Sequence, residues 1–170
     1  PQVQSKLLEL AGVDAELSRI GHKRKTLPEQ QEVDRLDAER VTRKDAAVGV
    51  EIVLDDLDRD IRKLEGEVDA VRKREERDRK LLEGGTVGAK QLTELEHELG
   101  SLVRRQGLLE DELLEVMERR EASQADHDHA GAQLTQIEDE LIDARRRRDD
   151  AMADLDSTFE ARTADRSRLA

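Results

Sequence analysis

Apolar residues recur at alternating spacings of three and four on both sides of a glycine-rich segment, Gly84-Gly85-Thr86-Val87-Gly88. After it the seam runs through Leu92, Leu95, Leu99, Leu102, Leu109, Leu113, Val116, Leu134, Ile137, Leu141 and Leu155. Before it the same pattern passes through Val33, Leu36, Ala47, Val50, Leu54, Leu57, Ile61, Leu64, Val68, Val71 and Leu82. A mean period of 3.5 residues is that of a left-handed coiled coil, in which an apolar stripe keeps facing a partner helix. Two such stripes joined by a glycine turn predict a long antiparallel helical hairpin, each arm supplying the burial the other needs.

Composition supports this. Of the 170 residues 42% are charged and only Phe159 is aromatic, too little bulk for a close-packed globular interior. A disordered chain would share that composition but has no reason to hold a heptad. No apolar run is long enough for a membrane span and none near Pro1 resembles a signal peptide, so a soluble, cytoplasmic protein without membrane attachment is expected.

The expected organisation is all-α: a helix over 3–25, a break near Pro28, a second helix over 28–83, the tip at 84–88 and a third helix over 89–168. Pro28 lacks a backbone donor and disfavours helix at the residue before it, yet suits a first helical turn. About 80 residues lie on each side of the tip, so the third helix has the length to pair with the second and then the first. Layers opposing a and d positions require paired residue numbers summing to about 170 or 177, which sets Leu57 against Leu113 or Arg120. Arg40, Arg43, Glu75, Asp78, Gln106, Arg120, Ser123 and His127 interrupt the seam, and such polar layers fix register at a cost in stability. Bends are expected near Gly66 with Gly107 and near Thr26 to Pro28.

Chemistry is sparse. His127 and His129 lie two apart on a helix and point about 200° from each other, so they do not chelate one ion. There is no phosphate-binding loop, no cysteine nucleophile and no pocket in which carboxylate pKa values would separate, so neither catalytic residues nor a resident metal or cofactor is expected here.

Charge is the more informative signal. Residues 49–70 hold eight acids and three bases, and 106–121 hold six acids and two bases. Nearer the tip, Arg72, Lys73, Arg74, Arg77, Arg79, Lys80, Lys90, Arg104 and Arg105 outnumber seven acids. A second basic cluster, Lys23, Arg24 and Lys25 after His22, is expected to face Arg145, Arg146, Arg147 and Arg148 across the break. Helical ion pairs from Arg145 and Arg146 to Asp149 and Asp150 would make the latter a solvated structural face rather than a partner-binding patch. The net charge of -12 disfavours general nucleic-acid binding, because phosphate binding is mostly electrostatic.

The segment from Leu81 through Gly84-Gly85-Thr86-Val87 to Leu92, with Leu109-Glu110-Asp111-Glu112 and Val116-Met117-Glu118, resembles bacterial proteins in which an N-terminal coiled-coil hairpin precedes a C-terminal C4-type zinc ribbon. Gly88-Ala89 stands where many relatives have an Asn-Pro-like helix start. The resemblance implies a non-enzymatic adaptor or chaperone-like protein whose partners are proteins, an alternative sigma factor and secretion components among them, and in some cases RNA. It also implies zinc in the full-length protein, although the absence of cysteine means that no zinc ligand lies among these residues. A nucleic-acid-binding regulator acting through the basic patches and a ribbon, and a purely structural spacer, are the alternatives. Partner identity and oligomeric state stay open.

Overall fold

The computed structural model describes residues 1–170 and contains three helices, α1 (Gln2–Lys25), α2 (Pro28–Glu83) and α3 (Ala89–Leu169). The expected boundaries hold to within one residue. The protein is an antiparallel coiled-coil helical hairpin with a break at Pro28. α2 and α3 stay helical through Gly66 and Gly107, so packing outweighs the weak helix propensity of glycine there.

The chain divides into two units, Pro1–Asp45 with Ala132–Ala170, and Ala46–Gly131. In the second, Leu64, Val68 and Val71 of α2 bury against Leu102, Leu109 and Val116 of α3, flanked by Leu57, Ile61 and Leu113. Each fully buried aliphatic side chain contributes about 1.5–3 kcal/mol, which is how a seam one residue wide holds two helices together. Asp58 accepts a hydrogen bond from Arg120 across the arms, and their numbers sum to 178, so the register near 177 is adopted rather than that near 170. The same seam buries two charged residues near the tip, Glu75 and Asp78, at 4% and 1% exposure.

In the first unit, Val33 and Leu36 of α2 pack against Ile137, Leu141 and Ala144 of α3, with Leu134 alongside. Ile137 is fully enclosed. α1 ends at Lys25, where the Thr26 N–H donates to the His22 carbonyl at 3.0 Å and the Thr26 hydroxyl donates to it at 2.9 Å. Leu27 is buried, and its carbonyl accepts from the N–H groups of Gln30 and Gln31, so it anchors the start of α2 while Pro28 takes the first helical position. The break is therefore a two-residue link packed into the unit.

At the tip the Gly84 N–H donates to the Lys80 carbonyl at 3.0 Å, and Gly85 adopts φ 63°. That left-handed conformation ends a helix cheaply only without a Cβ. Gly85→Ala should cost about 1–2 kcal/mol in urea unfolding followed by circular dichroism, and Gly85→Asn less, because Asn tolerates this region.

Candidate partner-binding surface

The sixteen candidate basic residues divide by whether a carboxylate holds them. Near the tip, Arg72 pairs with Glu110 and Arg74 with Glu98, both at 2.7 Å between α2 and α3. Lys73, Lys80 and Arg79 pair one helical turn back with Asp69, Glu76 and Glu75, and Arg77 lies 3.9 Å from Asp78. Lys90, Arg104 and Arg105 form no ion pair, Arg104 donating instead to the Ser101 hydroxyl at 3.2 Å.

At the break the expected arrangement is corrected. Arg24 pairs with Asp156 and lies 5.2 Å from the Phe159 ring centroid, whereas Arg145 pairs with Asp37 and Arg148 donates to Gln30. The two basic clusters therefore do not face each other. The physical reason is the register: Val33 and Leu36 bury against Ile137, Leu141 and Ala144, which places Lys23–Lys25 opposite the stretch around Asp154 to Thr158 and Arg145–Arg148 opposite α2. The ion pairs of the arginine run also differ. Arg146 and Arg147 reach back to Asp143 at 2.6 and 3.1 Å, and Arg148 takes Asp149 at 2.9 Å. All four arginines are thus ion-paired, Arg146 and Arg147 sharing Asp143, while Lys23 and Lys25 form no ion pair.

The electrostatic effects follow these contacts. Glu110 Oε1 accepts from Gln106 at 3.0 Å and from Arg72 at 2.7 Å, and these hydrogen bonds, Gln106's first, hold its pKa below the usual glutamate value. Hydrogen bonding to Arg35 lowers Glu32 similarly, and Asp58 raises Arg120. A carboxyl with a depressed folded pKa contributes stability that is present above its unfolded pKa and is lost as pH falls through the folded value. Gln106→Ala and Arg72→Ala should each raise the Glu110 pKa, measured by NMR titration of that carboxylate. An unchanged value in either variant would show that its hydrogen bond does not hold the carboxylate ionised.

The matching family profile, the CT398-like coiled coil hairpin domain, covers residues 10–170. This chain belongs to that family. The hairpin is 51% identical over 122 residues to an uncharacterised protein of Mycobacterium tuberculosis, covering 72% of this chain and 50% of that protein. It is 46% identical over 111 residues to an uncharacterised protein of Mycobacterium leprae, covering 65% of this chain and 48% of the relative. A solved structure from Mycobacterium smegmatis matches with a TM-score of 0.89 and 43% identity over 99% of this chain and 69% of the other. The chain spans about half the length of the curated relatives it matches.

Besides its charged candidates, this CT398-like hairpin exposes apolar residues, and the spacing already sets Ile52, Leu108 and Leu114 off the seam. Leu108 and Leu114, off the seam by spacing, are 72% and 59% exposed, and Val103 and Met117 join Leu114 on one flank of α3. The signal was legible: Val103, Gly107, Glu110, Leu114 and Met117 repeat the seam spacing one residue further on. No helix of the hairpin is long and apolar enough to cross a membrane.

Proposed function

We propose that this hairpin is a non-enzymatic adaptor or chaperone-like protein that binds protein partners, with unit Ala46–Gly131 as the engaging part. The observation that carries the reading is the exposure of large apolar side chains on α3 beside a seam already satisfied by α2. Exposed apolar stripes favour protein partners. Eleven of the sixteen candidate basic residues are tied to carboxylates, so little uncompensated positive charge is left for phosphate, which disfavours the nucleic-acid alternative. Lys90, Arg104 and Arg105 remain for acidic groups on a partner.

The resemblance to hairpin proteins carrying a zinc ribbon extends this proposal to a second module in the full-length protein. These 170 residues do not fit a four-cysteine site, having no cysteine and no group of three or more metal-ligating side chains. Any zinc would therefore be held by residues outside them.

Affinity capture with the full-length protein from its own host tests the reading. A protein partner recovered by the intact hairpin and lost when residues 84–88 are replaced or Arg104 and Arg105 become Glu is expected. Recovery of no protein would overturn it, and RNA or DNA bound with a steep salt dependence would favour the nucleic-acid alternative.

A further inference from the structure

Between the apolar cluster of unit Ala46–Gly131 and the glycine tip, the seam of α2 carries acids in two successive layers, Glu75 and Asp78. The register sets Glu75 level with Leu102 and Asp78 level with Leu99. Both carboxylates are buried, and Glu75 Oε1 and Asp78 Oδ2 have no hydrogen-bond partner. Their cations, Arg79 and Arg77, approach only to 3.7 and 3.9 Å and stand on mostly exposed side chains. Charge taken out of water and left half-satisfied opposes closure of the layers that contain it.

Little on the tip side offsets this. Past Asp78 the seam holds Leu82, Leu92, Leu95 and Leu99, and of these only Leu95 is buried. One ion pair, Arg74 with Glu98, joins the arms there, on exposed side chains where water weakens it. Arg77, Arg79 and Lys80 pair within α2 and add nothing across the arms. On the other side of Glu75, Leu64, Val68 and Val71 bury against Leu102, Leu109 and Val116 without interruption by charge. The hairpin therefore passes from tightly to weakly closed within about one helical turn.

We propose that the tip, residues 76–101, opens and recloses by itself while the rest of unit Ala46–Gly131 stays paired. The two carboxylates set the point at which the arms part, because opening there returns both to water. An open tip bares Leu95 and the covered part of Leu99, seam residues that the closed hairpin withholds from solvent. The device is built into the fold and needs no partner, so it stands apart from the adaptor reading.

Hydrogen exchange of the native chain, followed by NMR, tests it, since an arm loses amide protection when the packing that supports its helix is released. Amides of residues 76–83 and 93–101 should be protected at least about tenfold less than those of 57–71 and 109–116, with a step at Glu75. Fraying alone would give a smooth gradient towards the tip. Glu75→Leu with Asp78→Leu should raise protection of the tip amides at least about tenfold and remove the step. Asp69→Asn with Glu76→Gln, which removes the same charge from exposed positions, should leave the step in place. Equal protection on both sides of Glu75, a smooth decline, or a Leu double variant that keeps the step would overturn the proposal. The step is read in the native chain itself, so a misfolded variant does not remove the test.

Discussion

Ile137→Ala should lower the stability of this protein by about 3 kcal/mol, the largest loss expected from any aliphatic truncation in the chain. Ile137 is fully enclosed, and Val33, Leu36, Leu141 and Ala144 around it are each no more than 2% exposed. Removing three carbons there forfeits their transfer energy and leaves a space that helices clamped by the same cluster fill only partly. Ile137→Asp should cost more, since it adds an unpaired buried charge. Ile142→Ala is the control: at 66% exposure it should change stability by no more than about 0.5 kcal/mol. Urea unfolding by circular dichroism measures all three, and equal midpoints for Ile137→Ala and Ile142→Ala would mean that this cluster does not hold the unit.

The opposite sign is expected near the tip. Glu75→Leu combined with Asp78→Leu should stabilise the protein by about 1–4 kcal/mol, as when buried ionic groups give way to well-packed apolar ones. Both carboxylates are buried, each has one oxygen without a hydrogen-bond partner, and their cations, Arg79 and Arg77, stand at 3.7 and 3.9 Å on mostly exposed side chains. Attraction at that distance does not offset desolvation. A double variant less stable than the native chain would show that the two acids are satisfied where they stand.

Much of the architecture was legible because a coiled coil states its packing in one dimension. The heptad identified the buried positions Leu64, Val68, Val71, Leu102, Leu109 and Val116, and Pro28 and Gly84-Gly85 marked where helices stop. The polar positions Glu75 and Asp78 were also readable as seam members. The candidate surface was less legible. Counting charges along the chain left the arginine run from Arg145 to Arg148 readable as a solvated face or as a patch, and it placed the ion pairs on Asp149 and Asp150, whereas Asp37, Asp143 and Asp149 hold it. Only Asp149 follows it closely in sequence; Asp37 arrives from the other arm.

The period of the apolar residues and the placement of proline and glycine by themselves determined that this chain forms three helices folded as a hairpin, since local backbone geometry and a 3.5-residue stripe leave few other ways to bury leucine. The register was a tertiary decision. Sums near 170 and 177 both oppose a and d positions, and the structure takes the second, which brings Val33 and Leu36 into one buried cluster with Ile137, Leu141 and Ala144. Once chosen, the register decided that Asp58 meets Arg120 and Arg72 meets Glu110, and that the cluster at Lys23 lies opposite Asp156 rather than opposite Arg145. Which charges remain for a partner depends on these cross-arm pairings, and pairings between residues 38, 62 and 132 positions apart are invisible until the helices are laid side by side.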